Sequence, residues 1–317
     1  MTWKRDPKTW MAIAVTLLLW ASAFAGIRAG MRLTPAGVPG VDGYGPGEVA
    51  LLRFGTASVV LALYALATRM RLPDRRDLGR IAMAGLTGIT IYHVALNFGE
   101  MTVGAGAASL LIAAGPVFTA LLSAAFLGER LTILGWFGIA VAFVGVAVIS
   151  MSQDGGLSFD PGALLILLAA LSTSVFFIVS KKPLVHYSAI EFTSYSIWAG
   201  TIPLLVFAPA LVNQFPNAAP SATIAIIYLG IFPAAIAYVL WNYALARMPA
   251  SILSSFLYLA PVLAMAIAWV WLGELPTLLT IVGGAVAIVG VVIVQSKGQS
   301  RRVASTIAEN PIEASEV

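Results

Sequence analysis

The chain writes one stretch twice. Residues 104–150 read GAGAASLLIAAGPVFTALLSAAFLGERLTILGWFGIAVAFVGVAVIS, and residues 249–295 read PASILSSFLYLAPVLAMAIAWVWLGELPTLLTIVGGAVAIVGVVIVQ. The two align without a gap at a spacing of 145 residues, so that Ser109 falls on Ser254, Pro116 on Pro261, Gly128-Glu129 on Gly273-Glu274, Thr132 on Thr277 and Gly145 on Gly290. Shared Ala, Val and Leu carry little weight in so apolar a chain; the proline, the Gly-Glu pair and the glycine carry the signal. Each copy is an apolar run with a central proline, a Gly-Glu break and a second apolar run. That is a helical hairpin of membrane length, duplicated.

Only 10% of the 317 residues are charged and 60% are hydrophobic, with mean hydropathy +0.93. A soluble domain carries about 25% charged residues, so the chain reads as an all-α integral membrane protein. It has no cysteine, and His93 and His186 lie far apart with no metal-ligand spacing around them. No metal site and no cofactor is therefore expected. The net charge of +4 comes from basic residues flanking apolar runs, which is a topology signal rather than a nucleic-acid footprint. The N-terminal apolar run continues to about Ile27 without a clear cleavage site, and reads as a retained first helix.

At about 20 apolar residues per span, ten helices are predicted, near 9–30, 47–68, 78–98, 104–127, 131–150, 161–180, 189–209, 221–243, 250–272 and 277–295. Placing the N-terminus in the cytoplasm puts 15 Lys and Arg on inner segments and leaves only Arg28, Arg32 and Arg53 in the outer half, so both termini are expected to be cytoplasmic. Five helices per copy is an odd number. The second half then enters the membrane inverted, and the expected organisation is residues 1–150 and 151–295 as two inverted five-helix repeats, with 296–317 a disordered cytoplasmic tail.

The order and spacing of several short motifs add a family. LLLWASAF at 17–24, LLRFGTAS at 51–58, the Pro116 stretch before LGER at 127–130, Asn242 in WNYALAR, and LAPVLA at 259–264 before LGE at 272–274 together resemble the drug/metabolite transporter superfamily, specifically its EamA-type exporters. The resemblance covers residues from about 10 to 294 and implies export of small metabolites, drugs or amino acids across a bacterial inner membrane. Some members of that family resemble aromatic-amino-acid exporters, and this chain is rich in aromatics suited to a cavity. The expected partners are a small-molecule substrate and the lipid bilayer; the oligomeric state is not fixed by sequence.

Within that frame the candidate residues are polar or aromatic groups at membrane depth. His93, Asn97 and Glu100 form one stripe on the third helix, and the repeat pairs His93 with Tyr238 and Asn97 with Asn242. Substrate contacts are expected from His93, Tyr92, Asn97, Trp20, Ser22, Tyr195, Trp198, Tyr238, Asn242 and Tyr258; the competing reading is helix–helix hydrogen bonding and packing. Glu100 alone reads as an interfacial residue. Pro116 and Pro261 should deprive the carbonyls of Ile112 and Leu257 of their helix donor and act as hinges or static kinks. Glu129 and Glu274 read as gates or as caps of the helices that follow them. Arg53 can take a substrate carboxylate, pair with Glu48 or Glu100, or snorkel.

There is no Walker A motif, and no acidic residue in the middle of any predicted helix. Passive, gradient-driven export of neutral or aromatic amino acids by alternating access is the leading expectation, with proton-coupled export of drugs or other metabolites behind it. A membrane-embedded lipid-modifying enzyme would need a carboxylate or histidine cluster at one interface, which the sequence lacks, so no enzyme is expected.

Overall fold

A computed structural model describes residues 6–33, 39–126, 132–151, 160–247, 253–254 and 256–297. These form helices without a strand. We label them α1 (Pro7–Met31), α2 (Pro46–Thr68), α3 (Arg75–Gly99), α4 (Ala105–Ile112 and Gly115–Phe126), α5 (Ile133–Met151), α6 (Pro161–Ser180), α7 (Ala189–Gln214), α8 (Pro220–Arg247), α9 (Ala260–Leu272) and α10 (Leu278–Lys297). Six of them, α1, α2, α3, α6, α7 and α8, are long and apolar enough to cross a membrane; α4, α5, α9 and α10 contribute shorter apolar helices.

Several helix starts follow one recipe. α1 and α6 each open on Asp-Pro: Asp6 accepts from the amide of Lys8 at 3.0 Å and Asp160 from that of Gly162 at 2.7 Å, while the proline takes the first helical position, where no donor is needed. α7 begins with a reciprocal capping box between Ser188 and Glu191.

In lipid the association of helices gains little from hydrophobicity, and close approach of small residues takes over. α5 and α10 show this most clearly. A Cβ added to Gly145 would stand 2.3 Å from the Ala287 nitrogen and 2.5 Å from the Gly283 oxygen, and one on Gly290 would stand 2.3 Å from the Ala142 nitrogen and 2.6 Å from the Gly138 oxygen. Each contact reappears with its partners exchanged after a shift of 145 residues, so the α5–α10 crossing is reciprocal. Gly85 of α3 similarly meets the backbone of Gly200 on α7, and its repeat mate Gly230 of α8 meets the Arg53 carbonyl on α2.

The regular helix is interrupted at matched places. α3 carries a π-helical segment at Leu86–Ile91 and α8 one at Gly230–Ile236. The sequence reading expects intact, kinked helices at Pro116 and Pro261, but the chain breaks instead. α4 stops at Ile112, turns through Ala113 and Ala114, and restarts with Pro116 at its second position; α9 follows a 3-10 turn, Phe256–Leu259, with Pro261 at its second position. Proline tolerates the first turn of a helix far better than its interior, so a restart relieves what a kink would strain.

Candidate functional site

The two helix breaks meet at one cavity, and residues that bond to the two π segments line it. Trp20 and Phe24 of α1, Arg53 of α2, Tyr92 and His93 of α3, Thr173 and Phe177 of α6, and Tyr238 of α8 line it, with Ile112, Ala113 and Gly115 from one break and Leu257 and Ala260 from the other. About 50 Å³ accepts the centres of water molecules, room for a few waters at about 10–15 Å³ each. The space bounded by the described residues is thus small for a metabolite.

A chain of hydrogen bonds crosses the cavity wall. The Tyr238 hydroxyl donates to the Gly88 carbonyl at 2.9 Å. Its one proton is then committed, so the 3.1 Å contact with His93 Nε2 has the imidazole N–H as donor. That assigns the Nε2-protonated tautomer and turns the bare Nδ1 toward Arg53 Nη1, 3.4 Å away. Gly88 lies in the π segment of α3, where the register change frees backbone groups. The residue 145 positions on, Pro233, lies in the π segment of α8, and its carbonyl accepts from Trp20 Nε1 at 3.0 Å. Each half thus supplies an aromatic donor to the irregular backbone of the other. Trp20 also packs edge-on to Tyr238, with ring centroids 5.4 Å apart.

Trp20, Tyr92, His93 and Tyr238 line the cavity, whereas Asn97, Asn242, Tyr195, Trp198 and Ser22 are not among its lining residues. The Asn97 amide donates to the Pro46 carbonyl at 2.9 Å and that of Asn242 to Thr193 Oγ1 at 2.8 Å. Both side chains are completely buried, and each ties its helix to the preceding one. Tyr195 donates to the Arg71 carbonyl and Trp198 to that of Ser58, holding α7 against α2 and the loop after it. Ser22 donates to the Leu19 carbonyl and bonds the Tyr228 hydroxyl at 2.8 Å. Glu129 and the side chain of Tyr258 fall outside the described residues.

A second pocket, open and about 1260 Å³, is bordered by Arg28, Arg32, Asp42, Tyr228, Trp271 and Glu274. Here Glu274 pairs with Arg28 at 2.5 Å and also accepts from the Ala105 amide at 3.1 Å. It therefore caps α4 rather than the helix that follows it; α10 is capped by Thr277, which accepts from the Thr280 amide. Arg28 further donates to the carbonyls of Glu100 and Val103. One residue from each of α1 and the α9–α10 turn thus clamps the start of α4. Glu100, expected at the interface, is fully buried beside this clamp, with neither carboxyl oxygen hydrogen-bonded. Burial holds its carboxyl well above the usual carboxylate range, against the pull of Arg28.

With this geometry in place, comparison with known proteins identifies the framework. The EamA-like transporter family matches the chain twice, over residues 8–151 and 160–296. The chain belongs to that family. It is 43% identical over 291 residues to a probable terminal-alkyne amino-acid exporter of Streptantibioticus cattleyicolor, spanning 92% of this chain and 94% of that one. It is 40% identical over 288 residues to the Bacillus subtilis transporter YdfC, spanning 91% of each. The inner membrane transporter YedA of Escherichia coli is 26% identical over 257 residues, covering 80% of this chain and 79% of its own. A crystal structure superposes with TM-score 0.62 at 21% identity over 91% of this chain and 96% of its own, a likeness of fold alone. The protein is thus a multi-pass membrane transporter, from a family of transporters rather than enzymes.

The motifs of the first helix, Pro116 and Pro261 are visible in the sequence, and so is the Asp-Pro pair that opens α1 and α6. The π segments leave one faint trace, a glycine and a proline at equivalent positions, 88 and 233.

Proposed function

We propose that this protein exports small amphipathic metabolites, foremost neutral or aromatic amino acids, by alternating access. The observation that carries the proposal is the central cavity, lined by Trp20, Tyr92, His93 and Tyr238 and placed where the broken helices of both halves meet. In this reading ten helices span a bacterial inner membrane, residues 1–150 and 151–295 are inverted copies, and both termini lie in the cytoplasm. The reciprocal α5–α10 crossing supports a two-fold relation between the halves, and a relative named as an amino-acid exporter supports the substrate class. Irregular backbone at membrane depth is tolerated where it lines a cavity, and inverted-repeat carriers place their sites there. Trp20, Tyr92 and Tyr238 offer planar faces for an aromatic or aliphatic side chain. The carbonyls of Ile112 and Leu257, whose regular helix donors would be Pro116 and Pro261, are suited to an ammonium group.

The test is counterflow in proteoliposomes loaded with unlabelled substrate. Labelled phenylalanine, tryptophan, leucine, a polyamine and a sugar nucleotide are supplied in turn, with and without a pH gradient. Accumulation of the amino acids alone, unaffected by the pH gradient, is the expected result. Flux of only the polyamine or the sugar nucleotide refutes the substrate class, and flux that requires the gradient replaces passive export with proton coupling.

A further inference from the structure

Arg53 is the most deeply buried cation in the described structure. It is 1% exposed, about two turns from the start of α2, and it borders the cavity. A guanidinium removed from water and left without a counter-ion is strongly disfavoured, so proteins nearly always pair it. Four ion pairs occur among the described residues, and Arg53 is in none of them. Neither Glu48 nor Glu100 closes on it, and it does not reach the surface; both structural readings open to it from sequence are absent. Among the described residues its one hydrogen-bonding contact is the long one, 3.4 Å from Nη1 to His93 Nδ1. Nε is buried with no acceptor.

The surroundings fix that arrangement rather than leaving it to chance. Because Tyr238 is committed to Gly88, His93 must present a lone pair to Nη1, which orients the guanidinium by one edge. Nε lies on the edge that His93 does not use. The guanidinium lies 5.4 Å from the Phe54 ring centre, and Tyr92, Tyr238 and Phe24 are among the residues that line the same cavity.

We propose that Arg53 anchors a carboxylate-binding subsite in the central cavity, so that the transported molecule is a small organic acid or zwitterion with an apolar or aromatic remainder. A carboxylate accepts two parallel hydrogen bonds from an arginine edge, and it supplies the counter-ion that the empty protein lacks. The aromatic wall receives the rest of the ligand. This inference rests on the cavity being the substrate route, and it narrows the substrate to molecules that carry a free carboxylate.

Binding of three probes to the detergent-purified full chain tests it: phenylalanine, 3-phenylpropionate and phenylalaninamide, each followed by thermal stabilisation over a concentration series. Wild type should bind both carboxylates at least about tenfold more tightly than the amide. Arg53→Gln should bring acid and amide to within about twofold of each other, and Arg53→Lys should keep an intermediate preference. The wild-type series stands even if Arg53→Gln fails to fold. Equal affinity for phenylalanine and its amide, or no binding of either carboxylate, overturns the subsite. An acid preference that survives in Arg53→Gln overturns it as well. Binding of phenylpropionate but not phenylalanine keeps the subsite and removes the amino-acid reading; equal binding of phenylalanine and its amide does the reverse.

Discussion

Replacing Tyr238 by Phe isolates the hydrogen-bond chain of the cavity wall. The ring stays: it is packed against Trp20, Phe54 and Phe176 at centroid distances of 5.4, 6.4 and 6.0 Å, and Phe keeps those contacts. What is lost is one oxygen that serves two groups, the Gly88 carbonyl and the His93 Nε2–H. His93 cannot escape by moving its proton to Nδ1, because that would aim an N–H at the Arg53 guanidinium. Side-chain hydrogen bonds in membrane proteins average about 0.6 kcal/mol, because the unfolded chain finds other partners. A buried group left unpaired costs about 1–3 kcal/mol. His93 is 2% exposed and its replacement partners are excluded, so the second figure should govern for the imidazole and the first for the carbonyl, giving a loss of about 2–3 kcal/mol. Equilibrium unfolding in mixed micelles, followed by tryptophan fluorescence, measures it. A companion His93→Ala variant leaves Tyr238 its bond to Gly88, and the double variant should lose less than the sum of the two by about 1 kcal/mol. A Tyr238→Phe protein within about 0.5 kcal/mol of wild type, or strictly additive losses, would refute the chain as a coupled unit.

Further outcomes follow from the packing and the clamp. Gly145→Ala and Gly290→Ala each force a methyl into opposing backbone, so each should lose about 1–3 kcal/mol in the same unfolding assay, and by nearly equal amounts because their contacts are reciprocal. Glu274→Gln removes the Arg28 ion pair and weakens the cap on α4; in the cysteine-free background, a Ser22→Cys reporter should then react with a maleimide several-fold faster, and an unchanged rate would remove the clamp from the gating scheme. Glu100 has its carboxyl pKa raised in the folded state, so the native protein holds this proton more tightly than the unfolded chain. The stability it contributes is complete below the unfolded value of 4.5 and is lost as pH rises through the raised native value. Glu100→Gln should flatten that slope as pH rises above the unfolded value of 4.5, and identical slopes in both proteins would show that Glu100 is not its source.

The helices and the duplication were legible because a membrane demands long apolar runs, and the proline, Gly-Glu and glycine landmarks survive in both copies. The repeat also led from His93 to Tyr238, which the structure joins directly. It did not tell which polar residues face the cavity. His93 and Asn97 share a helix stripe, yet a stripe about 100° wide spans both a cavity wall and a helix contact, and Asn97 lies on the contact side with Pro46. Tyr195 and Trp198 were drawn into the candidate site by residue type, whereas their polar ends are occupied by backbone carbonyls of neighbouring segments. The burial of Glu100 was hidden because it depends on the loop and on Arg28 folding over the end of α3. A register change such as the π segments has no periodicity of its own over so few residues.

The cross-supply of donors gives the alternating-access proposal an energetic form. Gly88 in the first half is served by Tyr238 of the second, and Pro233 in the second by Trp20 of the first. Backbone groups freed at membrane depth need a partner from protein or from cavity water, so these bonds tie the halves together as long as the cavity is nearly dry. Trp20 and Tyr238 line the cavity, so substrate and water admitted there compete for these two donors. The net cost of parting the halves is then the difference between two satisfied arrangements, about 1 kcal/mol per bond rather than the full desolvation penalty. A small cavity bordered by a helix break from each copy, with its Trp20 and Tyr238 donors spent on the irregular backbone behind them, is what a carrier needs if its two orientations are to lie close in free energy. Regular helices at the breaks and π segments would leave those donors without the carbonyls that they now serve.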